Sequence, residues 1–302
     1  MMGVVDTMVA GRIGPDAVGA VGLGFAAAFF VYVIPFGILL GLDPVVSHAV
    51  GAKLPRRWRS GLVAARWIWL ILSVPTFFGV LAVPMALSYM SQDAGVVAGL
   101  RLYMPFIACS IPPMLLYHVY ATYLTAHGNT RQFVVITLAV NGLNVLLNLW
   151  FVGGGFGLPP MGVAGIGAAT LGCTLTEVLL LRLFLRPHGR FSELWVPWSV
   201  PDRETLRRIL NTGIPVGIQY WIEVAGFTVA SVLIGTFGAI TLAGHHIALN
   251  FAGLTFTAAI GLGAAAGVRV GHARGRREAA EMKLAGWTAI QVGFISAVVF
   301  AL

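Results

Sequence analysis

An aspartate stands at position 6, in VVDTMVAGRIG (residues 4–14), with apolar neighbours and a Gly-rich turn close behind. A second acidic residue, Glu223, lies in QYWIEVAGF, between Trp221 and Phe227. Elsewhere NGLNVLLN places Asn141, Asn144 and Asn148 at relative positions 0, 3 and 7, on one face of the helix expected there. An ionisable group at bilayer depth costs about 2.5–3.5 kcal/mol on insertion scales, so each one that persists in an apolar run is a candidate for function. A carboxylate in that setting is neutralised by a proton, or by a sodium ion ligated through oxygen, and a hard cation wants several oxygens. The amide stripe offers them, if it faces a cavity; the plainer role for three amides is hydrogen bonding between helices. Glu223, beside aromatic rings, can attract an organic cation through charge and ring quadrupole. Gln219 lies one turn before it and Trp221 flanks it, while pairing of Glu223 with a neighbouring helix is the alternative.

The remaining polar residues in apolar runs carry less. Glu177 is expected to be a satisfied helix contact. Asp43, next to Pro44 near the end of its segment, is expected to cap a helix or pair with a basic loop. His245 and His246 are adjacent, so on a helix they point about 100° apart; with no cysteine or carboxylate at ligand spacing, a gating or packing role is expected and no metal site. Phosphoryl or prenyl transfer in a membrane needs clustered carboxylates for magnesium. No DxxxD-like pair, Ser/His arrangement or HExxH site occurs within a span, so no catalytic residues are assigned and no cofactor is expected beyond the coupling proton or sodium ion.

These residues sit in a chain of 302 residues that is 58% hydrophobic and 10% charged, against about 25% charged in soluble domains. Continuously apolar runs of about 20 residues indicate spanning helices, and the period-2 alternation of a transmembrane barrel is missing. The fold class is therefore an all-α polytopic membrane protein. Nine segments can be marked off, near 1–10, 17–45, 61–88, 99–124, 132–153, 161–185, 206–234, 241–268 and 284–302. Prolines 35, 75, 105, 112, 113 and 215 fall inside them, where kinks are expected. Of the 19 basic residues, 17 fall in or beside the second, fourth, sixth and eighth gaps. Basic loops stay cytoplasmic, which puts those gaps and the N-terminus on the cytoplasmic side. Arg56, Arg57, Arg276 and Arg277 are read as topology determinants with anionic lipid as a secondary partner. The net charge of +8 thus follows from topology rather than from nucleic acid. Cys109 and Cys173 lie in apolar segments and imply no disulfide framework; MMGVVDTM lacks the cationic start of a secretory signal and resembles part of a spanning helix.

Residues 11–51 repeat, without a gap, as residues 235–275. Gly11 meets Gly235, Gly37 meets Gly261, His48 meets His272 and Gly51 meets Gly275. Both copies run from a short non-cytoplasmic turn through a helix to a basic loop, the arrangement of transporters built from parallel repeats. The repeat predicts that the first helix starts about 18 residues before Met1 and that about three helices follow Leu302, so the sequence is expected to be a fragment truncated at both ends (about nine segments of an expected twelve).

VVDTMVAGRIGPDAVGAVGLG, GILLGLDPVVSHAVGAK, the stretch from Asn141 to Thr170, GIPVGIQYWIEVAGFTVASVLIGTFG, AGHHIALN and GLGAAAGVRVGHARGRREA together resemble, in order and spacing, the multidrug and toxic compound extrusion (MATE) transporters. The resemblance implies a two-lobe bundle facing a central cavity: an N-terminal lobe over 1–190, a cytoplasmic linker over 191–205 and a partial C-terminal lobe over 206–302. It implies secondary active export of cationic and amphipathic compounds against protons or sodium ions, from the bacterial cytoplasmic (inner) membrane, by a monomer. By the family pattern Asp6, Asn144, Asn148 and Thr170 form the cation-coupling cluster, and Glu223, Gln219 and Trp221 bind the organic cation. The sequence departs from the pattern at Asp43, where a small or hydroxyl residue is usual, and at His246, where glutamine is common. The alternatives are a lipid-linked oligosaccharide flippase of the same superfamily, which favours a cavity lined with arginine, and a fragment without activity of its own.

Overall fold

The computed structural model describes residues 2–89, 94–154, 159–185, 195–235 and 239–301, and along much of 231–257 it describes the backbone alone. Eleven helices run through the described residues. They are α1 (Met2–Ile13), α2 (Pro15–Leu40), α3 (Leu42–Gly51), α4 (Pro55–Leu81), α5 (Val83–Ser88), α6 (Ala94–Ala126), α7 (Thr130–Gly153), α8 (Val163–Phe184), α9 (Arg203–Gly235), α10 (Ala239–Arg276) and α11 (Ala279–Ala301). A single residue, Gly41 or Ala82, separates α2 from α3 and α4 from α5, so the eleven helices fall on the nine segments that hydropathy marks off. Among the described residues six of the segments are long and apolar enough to cross a membrane: 16–51, 55–88, 95–126, 130–153, 163–183 and 279–299.

Several helices run past their apolar stretch. The second segment continues to Gly51, and the third already starts at Pro55. Proline suits the first turn of a helix, and the arginines that follow are good helix formers, so the helix persists where the side chains have become polar. With 38 residues, α10 is about 57 Å long, far more than a hydrocarbon core of about 30 Å requires. Pro35, Pro75, Pro105, Pro112, Pro113 and Pro215 all lie within helices that continue through them. At Gly14 the chain turns from α1 into α2 with φ 149° and ψ 174°, a conformation that glycine adopts without strain.

The central column is α6, packed against α2, α4 and α8. Its buried Tyr103, Met104, Ile111, Leu115, Tyr123 and Leu124 form the middle of the core. Around it α7 lies on α8, and α1 touches α2, α7 and α8. The later helices join through a seam in which α9 packs against α2 and α10 against α3. Close backbone approach makes that seam. A Cβ on Gly213 would stand 2.0 Å from the Ile38 carbonyl oxygen, and one on Gly41 2.3 Å from that of Ile209. The ends of α3 and α10 meet likewise, with a Cβ on Gly51 falling 2.3 Å from the His272 oxygen and one on Gly275 2.4 Å from the His48 oxygen. His48 and His272, and Gly51 and Gly275, are the matched positions of the internal repeat, so the two copies touch through equivalent residues, as a self-complementary contact requires. On α11, Leu284, Trp287, Ile290, Phe294 and Val299 are exposed, the apolar exterior of a helix facing lipid or further protein.

Residues 195–202 approach α9 along α4. Arg66 Nη1 donates to the Val196 carbonyl (2.8 Å), its guanidinium lies over the rings of Tyr120 (5.5 Å) and Trp198 (5.8 Å), and Trp67 Nε1 donates to the Ser199 carbonyl (3.0 Å). Arg66 is buried, so it is more than one of the topology-setting cations with which its sequence position groups it. Hydrogen bonds of charged groups contribute about 1.5–3 kcal/mol. Arg66→Ala is therefore expected to destabilise the protein by about 2 kcal/mol, read as a lower melting temperature in detergent, and Arg66→Lys is expected to restore little, since lysine lacks the planar stacking group.

Asp202 caps α9. Its carboxylate accepts from the Thr205 amide (3.0 Å), the Thr205 hydroxyl (2.6 Å) and the Glu204 amide (3.4 Å). These bonds, the Thr205 hydroxyl first, hold the Asp202 carboxyl below its usual range. Its folded-state pKa is thus lower than its unfolded one, so the cap stabilises above the unfolded value and is lost as pH falls through the folded value. Asp202→Ala should lower the melting temperature at neutral pH, and the gap to the wild type should close as the solution is acidified.

Candidate functional site

Three helices meet at Asp6. It is on α1, only 3% exposed, and faces the polar stripe of α7 and the first half of α8. Asn148 Nδ2 donates to Asp6 Oδ1 (2.8 Å), Thr170 Oγ1 donates to Oδ2 (3.0 Å), and Asn144 Nδ2 reaches Oδ1 at 3.5 Å. Asn144 and Asn148 are fully buried. They are one helical turn apart, so both amides project from the same face of α7. Asn141, a turn earlier, bonds its own helix through the Thr137 carbonyl (2.7 Å) and does not reach Asp6. Tyr103 of α6, also buried, is close enough to Asp6 to interact with it electrostatically.

The amide oxygens Asn144 Oδ1 and Asn148 Oδ1 are buried without a hydrogen-bond partner among the described residues. Buried polar atoms are normally satisfied, so these two acceptors beside a carboxylate identify a place that suits a positively charged or protonated guest. With the two Asp6 oxygens and the Thr170 hydroxyl they make an all-oxygen set, which matches a hard cation. The same set accommodates a proton, since the Thr170 hydroxyl can turn from donor to acceptor when Asp6 becomes a carboxylic acid.

The α9 residues form a separate group. The Trp221 ring lies 5.2 Å from that of Phe30 on α2, Glu223 is half-buried, and Gln219 is exposed. A run of rings links α6 to α9: His118 contacts Phe36 (4.6 Å) and Phe36 contacts Tyr220 (6.3 Å). Tyr220 is within electrostatic reach of both Glu223 and Asp43. Among the described residues Asp43 is not tied to a basic loop; it lies in the first turn of α3 and is hydrogen-bonded by the Thr122 side chain of α6. Glu177 also departs from expectation, for it is buried and no described residue hydrogen-bonds it. The side chains of His245 and His246 lie outside the described residues, as does the boundary at 190. His118 and Tyr32 belong to this group too, and nothing in the spacing of YHVY or FVYVI singles them out.

A cavity of about 830 Å³ opens between α3, α4, α9 and α10 at the basic end of the helices, lined among others by His48, Arg56, Arg57, Ser60, Arg208 and Arg274. Its arginines lie in the first two turns of α4 and α9 and the last turn of α10. Arg276 pairs with Glu278 (2.6 Å) and with Glu281 across the α10–α11 turn; such exposed pairs contribute little to stability.

Helices of membrane-spanning length arranged about an internal carboxylate define a polytopic α-helical membrane protein with a polar site enclosed in one group of helices. The MatE family model matches residues 1–150 and 215–302. The chain therefore belongs to the MATE family, whose members are transporters. It is 34% identical over 278 residues to the multidrug resistance protein PmpM of Pseudomonas aeruginosa, covering 90% of this chain and 57% of that protein. It is 28% identical over 311 residues to the probable multidrug resistance protein NorM of Neisseria meningitidis serogroup B, covering 100% of this chain and 66% of that one. A crystal structure of a MATE transporter in the straight conformation superposes with a TM-score of 0.85 at 21% identity, over 99% of this chain and 66% of that one. The chain thus spans roughly three fifths of the length of these relatives, and its fold is the two-lobe MATE bundle.

Proposed function

We propose that this chain carries the cation-coupling site and much of the substrate path of a secondary active multidrug exporter. Asp6, held by Asn144, Asn148 and Thr170, exchanges a proton or a sodium ion. The Glu223 region of α9, with Gln219 and Trp221, attracts organic cations and amphipathic drugs between the lobes. The protein acts as a monomer in the bacterial cytoplasmic membrane, with its N-terminus and basic loops on the cytoplasmic side.

One observation carries this reading: a carboxylate buried in a membrane bundle, met among the described residues by three neutral donors and no cation, with two amide oxygens left open beside it. An arginine or lysine partner would make Asp6 a structural ion pair. Neutral partners leave its charge to be balanced by a mobile cation. The test is drug efflux from vesicles containing the protein expressed from its complete reading frame, under separately imposed pH and sodium gradients. Efflux that follows one gradient supports the exchanger and names the ion; efflux indifferent to both rules the reading out.

A further inference from the structure

Glu177 is a buried acidic residue that the Asp6 cluster does not use. It lies seven residues after Thr170 on α8, on the same face and about 10 Å further along the axis. That direction leads toward the basic end of the helices. It is 7% exposed.

The titratable groups around it can be taken helix by helix. Tyr32 comes from α2, Tyr117 from α6, Cys173 from α8 itself, and each interacts with it electrostatically. His118 of α6 stands behind the two tyrosines, 6.2 Å from the ring of Tyr32 and 5.3 Å from that of Tyr117. Asp6 of α1 lies at the other end of the same polar strip. From α7 come only neutral groups: Thr137, 2.8 Å from the Tyr117 hydroxyl, then Asn141 and Asn144. None of these groups carries a fixed positive charge. The Tyr32 hydroxyl is buried without a hydrogen-bond partner among the described residues.

A lone buried carboxylate is costly unless it is paired or neutralised. No pairing cation is at hand among the described residues, so neutralisation falls to a small positive ion. One carboxylate and two phenols supply fewer oxygens than the six or more that a hard cation takes, which selects the proton. Asn144 connects this place to the first one, since it reaches Asp6 (3.5 Å) on one side and the Cys173 thiol on the other.

We propose that Glu177 is a second proton-binding group of the N-terminal lobe, filled and emptied separately from Asp6 and set closer to the basic end of the bundle. The proposal rests on the cation-exchange reading above. Gaining one proton turns the Glu177 carboxylate into a neutral carboxylic acid and removes the charge that acts on the unpartnered Tyr32 hydroxyl. Tyr32 is one turn from Phe36, whose ring meets Tyr220 of α9. The proton on Glu177 is therefore felt where the two lobes touch.

The test is infrared difference spectroscopy after a pH jump, on protein from the complete reading frame with isotope-labelled glutamate carboxyls, reading the protonated-carboxyl stretch. The wild type is expected to show a labelled band that disappears in Glu177→Gln and survives in Asp6→Asn and Glu223→Gln. A labelled band that is unchanged in Glu177→Gln, or absent from the wild type, overturns the proposal. Glu177→Asp provides the second variant should the glutamine form not fold: the band must leave the glutamate-labelled spectrum and appear in an aspartate-labelled one, and its failure to do so is equally fatal. The two readings fail separately. Ion-driven efflux that persists in Asp6→Asn removes Asp6 as the coupling site and leaves the band assignment standing, whereas an absent Glu177 band beside a dead Asp6→Asn removes only the second proton site.

Discussion

Asp6→Asn is expected to abolish ion-driven efflux while leaving the protein folded and at least as stable as the wild type. To move a two-state equilibrium from 1:99 to 99:1, a bound cation must favour one state about 10⁴-fold, about 5.5 kcal/mol. A side chain that cannot change its charge supplies none of that difference. An asparagine at position 6 still accepts from Asn148 through its carbonyl oxygen, while its NH2, in the place of the second carboxylate oxygen, donates to the Thr170 hydroxyl, which turns from donor to acceptor. Removing a buried charge that has no ionic partner among the described residues also removes its desolvation cost. Function and stability should thus separate: efflux under an imposed gradient falls to the level of empty vesicles, while the melting temperature holds or rises. A variant that melts well below the wild type would mean that Asp6 is chiefly structural. One that still couples drug to ion would place the coupling site elsewhere.

Gly213→Ala is expected to part the seam between α2 and α9. The new methyl carbon would lie 2.0 Å from the Ile38 carbonyl oxygen and 2.7 Å from its carbon. Overpacking typically costs about 1–3 kcal/mol, and here the obstacle is backbone, so no change of rotamer relieves it. Whole helices must separate, and the arrangement described above loses population. Ser47, fully buried on α3 opposite Gly271, reports on this. A cysteine at position 47, in a background without Cys109, should resist a membrane-impermeant maleimide in the parent and react with it in the Gly213→Ala protein. Gly226→Ala is the control, since a Cβ there meets nothing within 4 Å on the same helix. Equal labelling in all three proteins would show that the glycine contact does not hold the seam.

The segments were legible because apolar runs of spanning length leave few alternatives, and the alternation of basic gaps fixed their number. The amide stripe was legible too: Asn144 and Asn148 had to share a face of α7. That they face Asp6 rather than lipid rests on packing across 138 and 142 residues of chain, which only the family resemblance pointed to. Three features lay beyond sequence. Arg66 stands next to a run of loop arginines, and its partner, Val196, lies 130 residues away. Asp43 finds Thr122 on another helix. Glu177 looked like any helix-contact glutamate, because the lack of a partner is a property of the surrounding helices and not of its neighbours in sequence.

The clamp that Arg66 and Trp67 place on residues 196 and 199 has a mechanical consequence. Asp202 begins α9 three residues later, and the Ser60 hydroxyl of α4 donates to Thr205 in its first turn (3.1 Å). The connector therefore has no slack at this end. A tilt of α9 cannot be absorbed by a loose tether; it bears directly on α4, which becomes the fulcrum for the helices that follow.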